Sequence, residues 1–364
     1  MGLFSRKPQI IEAQYAPQVM GENMPSLYNA IFARVSRHDA MSVPSVARAR
    51  NLICGTVASI PLEYYKTSTG EVIPAPRWIK QLSKNQPSFV TLTWIVDSLL
   101  FYGVAYLIVT ERYAEDGRPA SFEWVANSRV TFTTDLDGIM VTQYYIDASP
   151  ISMNDIVTIQ GFDEGVLDRG SRTIQSAIDV DRAAAQNSAN PQPAGFLKNS
   201  GADLPANEVQ ALIAAWKRAR QNNSTAYLTS TLDYSPVAFS PKDMMYNEAI
   251  QNLSTQIART MNVPAYYLSA DQNTTMTYAN VQDERKQFYA LSIEPFVQAI
   301  QSRFSMDDIS TAGHEVRFCV GDTFLKQDPL VEIQVLEKLL ALGLITTEQA
   351  MAMTDLTPNG SEGL

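Results

Sequence analysis

The chain has 364 residues, of which 45% are hydrophobic and 18% charged. That is enough to pack one large domain or two to three smaller ones, and few charges beside many Asn, Gln, Ser and Thr fit a surface partly covered by neighbours. The net charge of −10 argues against a protein that grips nucleic acid by neutralising phosphates, but is compatible with an acidic wall along which nucleic acid slides without sticking.

Residues 1–26 carry Pro8, Pro17 and Pro25 without a clear period and read as an N-terminal arm; Gly2-Leu3-Phe4-Ser5-Arg6-Lys7-Pro8 lacks the apolar core of a signal peptide. A helix is expected over 44–59, with Pro44 at its start and Val46, Ala49, Arg50, Ile53 and Val57 at helical spacing. A strand over 60–66 leaves it and turns at Ser68-Thr69-Gly70. The run 90–110 is apolar and of membrane-spanning length, yet it contains Asp97, Ser98 and Gly103. A buried helix over 91–102, a turn at Gly103 and a strand over 104–109 suit it better. Short runs at 121–125, 130–134, 140–146 and 156–159 continue a β-rich stretch, and Asp135-Leu136-Asp137-Gly138 is a hairpin signal. The fold class is therefore α+β with antiparallel pairing.

An Ala-rich helix is expected over 171–190, with Ile174, Ala177, Ile178 and Ala185 as its apolar stripe. Residues 191–241 then read as a small α/β unit: a strand over 195–198, a helix over 205–220 and strands over 226–228 and 237–239. Val209, Leu212, Ile213 and Trp216 share one face of that helix. The next helix starts near Lys242, repeats apolar residues at Tyr246, Ile250, Leu253 and Ile257, and stops at Asn262-Val263-Pro264. A polar loop follows. A longer helix runs from Tyr278 to Phe304, and Pro295 within it lacks an N–H, which predicts a kink. A strand over 314–320 and a helix over 330–342, closed by Gly343, come next. Thr346-Thr347-Glu348-Gln349 has the form of a capping box opening a short helix.

Little in this order suggests bond chemistry. The acid pairs Asp163-Glu164, Asp283-Glu284 and Asp307-Asp308 read as solvated faces, because adjacent carboxylates on a helix point to different sides. There is no G-x-S-x-G and no Gly-rich phosphate loop. The two cysteines, Cys54 and Cys319, read as small buried hydrophobes; with no CxxC and only His38 and His314, a zinc site is not indicated, and no cofactor is implied. A carboxylate-dependent α+β hydrolase remains the alternative and requires two acids converging in a pocket. The densest basic run, Lys217-Arg218-Ala219-Arg220, is either favourable charge at a helix C-terminus or a patch facing an acidic partner or DNA.

The order of motifs resembles the portal (head–tail connector) proteins of tailed bacteriophages. It comprises an N-terminal Gly-Leu-Phe; Ala58-Ser59-Ile60-Pro61-Leu62; Asn85-Gln86-Pro87 before a helix ending Tyr102-Gly103-Val104-Ala105-Tyr106; Ile257-Ala258 with Asn262-Val263-Pro264; Tyr278-Ala279-Asn280-Val281-Gln282 with Phe288 and Glu294-Pro295; and Gly343-Leu344-Ile345-Thr346 with Glu348. Thr347-Glu348-Gln349 departs from the family's usual Asn-Glu-Ala/Arg. The resemblance implies an arm over 1–26, a wing over 27–168, stem helices over 169–190 and 242–267, and a clip over 191–241. It further implies a tunnel loop over 268–278, a wing-crossing helix and returning strand over 279–329, and a short crown and tail over 330–364. It implies a structural, non-enzymatic ring of about twelve copies at a virion capsid vertex, assembled in the host cytoplasm. Its partners would be the major capsid protein, terminase and a neck adaptor, with double-stranded DNA passing non-specifically through the channel and no membrane involved. Asp271, Gln272, Asn273, Thr274, Thr275 and Met276 would line the channel; Trp216, Lys217, Arg218 and Arg220 would form the clip's docking surface; Pro295 would kink the crossing helix. Another phage head–tail ring component is the nearest alternative within this class.

Overall fold

The computed structural model describes residues 35–135, 137–138, 140–189, 195–199, 201, 204–221, 232–236, 246–268, 284–320 and 329–353. The arm over 1–26 and the strands expected over 226–228 and 237–239 lie outside these residues.

Ser36 accepts a hydrogen bond from the Asp39 N–H and starts α1 (Arg37–Ser42). Pro44 occupies the first position of α2 (Pro44–Ser59), which buries Val46, Ala49, Ile53, Cys54 and Val57. After β1 (Leu62–Lys66) and the short α3 (Arg77–Lys80), α4 (Ser88–Tyr102) buries Leu92, Ile95, Val96, Leu99, Leu100 and Phe101. No described helix is long and apolar enough to cross a membrane. Asp97 explains why α4 needs none. It is the only buried carboxylate among the described residues, and it accepts from Arg37 Nε at 2.7 Å and Arg50 Nε at 2.6 Å. Both guanidiniums lie over the Trp94 ring, at 5.1 and 5.5 Å, and Trp94 stacks on Trp124 at 5.0 Å. This arrangement ties α1, α2, α4 and a strand together.

Gly103 ends α4 with φ 70°, the left-handed conformation that glycine tolerates. A Cβ there would stand 2.3 Å from the Asp163 carbonyl, so this corner admits no side chain. The chain then enters β2 (Val104–Arg112), flanked by β3 (Pro119–Val125) and β7 (Ile156–Gln160) in the antiparallel order β3-β2-β7. A second meander, β4 (Val130–Thr134), β5 (Val141–Ile146) and β6 (Ser149–Ile151), packs on it through Val104, Tyr106, Val125, Val141, Tyr144 and Ile156. The short, proline-bearing β6 gives no alternating pattern and is not anticipated by the sequence reading.

The chain continues through α5 (Val166–Arg169), α6 (Ser171–Ala189), β8 (Gly195–Asn199), α7 (Ala206–Gln221), β9 (Leu232–Pro236) and α8 (Tyr246–Thr260). β9 pairs antiparallel with β8, from Asn199↔Leu232 to Gly195↔Pro236, just upstream of the strand expected over 237–239. Residues 284–288 are helical, Tyr289–Ile293 forms a π turn, and α9 (Glu294–Phe304) follows. β10 (His314–Phe318) returns to pair antiparallel with β1, Leu62↔Phe318 to Lys66↔His314. Trp78 on α3 meets Phe304 on α9 at 5.4 Å and Phe122 on β3 at 5.6 Å, which joins the late helix to the early sheet. The last helices are α10 (Pro329–Ala341) and α11 (Thr347–Met353). Gly343 stops α10 at φ 69°, with the Leu344 N–H bonded to the Leu339 carbonyl. Thr346 and Gln349 exchange the two bonds of a capping box, at 2.9 and 3.3 Å.

Candidate channel frame and docking surface

Helices α6 and α8 pack on each other, and their apolar stripes are shared at one end only. Ile174, Ile257 and Ala258 are buried there, whereas Ile250 farther along α8 is 41% exposed. The junction is close: a Cβ on Gly170, just before α6, would come within 2.7 Å of Thr260 Cγ2. Arg169 fastens it, donating from Nη2 to the Thr260 carbonyl at 3.0 Å while pairing with Asp163. A cation on the last carbonyls of α8 also complements the negative end of the helix dipole. Ser45 on α2 and Ser254 on α8 share a hydrogen bond of 2.8 Å, which fixes the pair against the body.

The end of α8 accounts for the Asn262-Val263-Pro264 motif. Asn262 has φ 53°, a left-handed conformation that Asn adopts more readily than most residues, and the Val263 N–H reaches back to the Ala258 carbonyl at 2.9 Å. The side chain has a second task. Pro295 has no N–H, so the Leu291 carbonyl four residues earlier lacks its usual helical donor. Asn262 Nδ2 donates to that carbonyl, and Ser292 Oγ donates to the Asn262 carbonyl. The π turn Tyr289–Ile293 sits directly before Pro295 at the start of α9. The Tyr267 ring lies 5.1 Å from Phe288, and Arg48 Nε donates to the Tyr267 carbonyl at 3.4 Å. Desolvation first, then Tyr267 and Glu284, push the Tyr266 hydroxyl well above the usual phenol range. These contacts frame both sides of the stretch that holds Asp271, Gln272, Asn273, Thr274, Thr275 and Met276, six residues outside the described ones.

In the small α/β unit, α7 carries the expected apolar face. Leu212 and Trp216 are half-buried, while Val209 is 38% and Ile213 44% exposed. Arg218 is exposed on the last turns of the same helix; Lys217 and Arg220 belong to α7, with side chains outside the description.

No described carboxylates converge as a hydrolase would need. Asp163 pairs with Arg169, Asp308 takes a two-point bond from Arg303 at 2.8 and 2.9 Å, and Asp283 lies outside the described residues. Among the described residues no cluster of His, Cys, Asp and Glu could hold a metal. His314 stacks on Tyr64 at 5.3 Å, with its Nδ1 near the Thr311 carbonyl, and His38 is exposed. Cys54 is buried and its thiol is pushed up by desolvation, while Cys319 is half-buried rather than buried as its sequence context suggests.

The family profile described as "Phage portal protein" matches residues 44–355. The chain belongs to the phage portal protein family. A curated relative, the "Probable portal protein" of Streptomyces phage phiC31, is 22% identical over 92% of this chain and 80% of its own length. Among solved structures, an HK97 family phage portal protein from Corynebacterium diphtheriae superposes with TM-score 0.65 at 23% identity, over 82% of this chain and 97% of that one. A chain of the neck of a native GTA particle, computed with C12 symmetry, gives TM-score 0.56 at 18% identity, over 92% and 99%. Portal-family membership assigns the fold a structural rather than a catalytic role, and it replaces the hydrolase alternative. The sequence reading did not identify the Asp97 ion triad, Arg169 or the link between Asn262 and Leu291. Pro295 and Asn262 were visible in the sequence; the hydrogen bonds that join Asn262 to the turn before Pro295 were not.

Proposed function

We propose that this portal-family chain assembles into a ring at a capsid vertex of a phage virion and forms the passage for double-stranded DNA during packaging and ejection. The observation that carries the reading is the family match over residues 44–355, joined to a body from which α6 departs and to which α8 returns at a fastened junction. In this reading 27–168 with β10 is the wing, α6 and α8 are the stem, 191–241 is the clip and 268–278 is the tunnel loop. The helix ending at Phe304 crosses the wing, and 330–364 is a short crown and tail. The ring contains about twelve copies, consistent with the head-to-tail logic of closed assemblies. Asp271 to Met276 line the channel, where polar tips touch the DNA backbone without reading bases. The net charge of −10 keeps the wall from holding phosphates. Trp216, Lys217, Arg218 and Arg220 on the clip meet terminase and, later, a neck adaptor; the body contacts the major capsid protein.

Negative-stain microscopy of the purified chain tests this directly: annular particles with a central hole are expected. A compact monomer at high protein concentration, with no rings under any condition, refutes the reading. Replacing 271–276 with a Gly-Ser linker is expected to preserve rings and to impair DNA packaging or retention.

A further inference from the structure

Helix α10 has more apolar surface than the described residues cover. Among the described elements its main packing partner is the short α11, and the buried side chains of this hairpin are Leu336 and Ala350. Ile333 is 52% and Val335 46% exposed; just past the end of the helix, Leu342, still bonded to the Lys338 carbonyl, is 71% and Leu344 67% exposed. With side chains spaced about 100° apart around a helix, these residues do not form one stripe. Ile333 stands on one side of the inward Leu336, and Val335 with Leu342 stands on the other. The outer rims differ in charge: exposed Glu337 borders the Ile333 flank, and exposed Lys338 borders the Val335–Leu342 flank. A surface helix of a monomer shows one apolar stripe; α10 shows two further apolar flanks, one on each side.

Two unlike flanks with opposite rim charges fit a head-to-tail contact between identical copies, in which each subunit presents two different surfaces. A two-fold contact through either flank would instead place Glu337 near Glu337 or Lys338 near Lys338. We propose that α10 packs beside α10 of the adjacent copies, the Ile333–Glu337 flank of one against the Val335–Lys338–Leu342 flank of the next. The inference rests on the ring reading and assigns it a specific subunit contact. The segment that follows this hairpin in the chain is a poor cover. Residues 354–364 contribute only Leu356 and Leu364 as large apolar side chains.

The test uses the full-length chain with Cys319→Ser, carrying Ile333→Cys, Val335→Cys or both, under mild oxidation; the two positions differ by only about 3 Å in height along the helix, so copies packed side by side bring them within reach. Positions 333 and 335 point to opposite sides of one helix, so they do not bridge within a chain. The double variant is expected to give a ladder of covalent multimers on a non-reducing gel, and each single variant none. Rings without a ladder overturn the contact and leave the ring reading standing. A ladder without rings supports the contact and sinks the ring. Neither rings nor ladder removes both. Single variants that dimerise as readily as the double variant ladders overturn the head-to-tail arrangement. A ladder that appears only after truncation beyond Met353 shows that the tail covers these flanks, and overturns the proposal. As a second readout, Ile333→Glu is expected to lower the assembled fraction at least tenfold while the circular dichroism spectrum stays unchanged.

Discussion

Asn262 and Pro295 form a coupled pair whose energetics can be separated. Asn262→Gly keeps the positive φ of 53° and removes the donor to the Leu291 carbonyl. The net loss for one such bond is about 1 kcal/mol. Asn262→Ala loses the same bond and adds a left-handed backbone cost of about 1 kcal/mol, so it should be about 2 kcal/mol less stable than the parent. In a Pro295→Ala background, residue 295 regains an N–H four residues beyond Leu291, and that carbonyl no longer depends on Asn262. There, Asn262→Gly should cost close to nothing, giving a coupling of about 1 kcal/mol in the double-mutant cycle. The effect of glycine on the unfolded chain is common to both backgrounds and cancels. Urea midpoints at one fixed protein concentration measure the cycle, and hydrogen exchange over 284–304 localises it. Additive effects of the two substitutions, or equal losses for Gly and Ala, would refute the reasoning.

Other outcomes follow from contacts described above. Asp97→Asn strands two guanidiniums on the Trp94 face and should cost on the order of 3 kcal/mol, read as a lowered thermal midpoint; an unchanged midpoint contradicts the triad's role. Gly103→Ala requires a Cβ 2.3 Å from the Asp163 carbonyl at φ 70° and should leave little soluble protein, whereas Gly117→Ala, at similar φ but in open space, should cost about 1 kcal/mol. Cys54 should resist thiol reagents until the chain is unfolded, since burial both shields it and disfavours its thiolate; rapid labelling in buffer is the contrary result. Tyr65 donates 2.6 Å to Glu63, and this bond with desolvation pushes its hydroxyl up to about 12. The unfolded chain ionises near pH 10, so this contribution to stability is present below pH 10 and lost between about pH 10 and 12. Tyr65→Phe should flatten that part of the alkaline stability curve.

Local rules made much of the architecture legible. Pro44, the α4–Gly103–β2 corner, the β-rich stretch, Gly343 and the Thr346–Gln349 capping box all act over a few residues, and each appears where its signal lies. What escaped depends on distant partners. Asp97 looked like a reason to reject a membrane span, but nothing local revealed that Arg37 and Arg50 neutralise it. Pro295 announced a break in its helix, yet the donor that satisfies the freed carbonyl comes from Asn262, 30 positions upstream of Ser292, which bonds back to it. In the α/β unit, β9 has a Pro at its end and only Leu232 and Tyr234 as apolar residues, too weak a pattern to outrank the neighbouring 237–239 run. The apolar stripes of α6 and α8 could have served a neighbouring copy or the same chain; the pairing of α6 with α8 assigns their buried end to the chain itself.

The pairing of β1 with β10 has a mechanical consequence. It closes the body on itself, and α6 leaves that body beside the end of α8, where Gly170 and Thr260 nearly touch and Arg169 pins the returning carbonyl. A push on the far ends of α6 and α8 therefore reaches the body through this junction and the nearby Ser45–Ser254 bond. Just beyond it lie Asn262 and the π turn before α9, where helical hydrogen bonds are already rearranged. The arrangement resembles a lever whose bearing is set against a rearranged turn of helix.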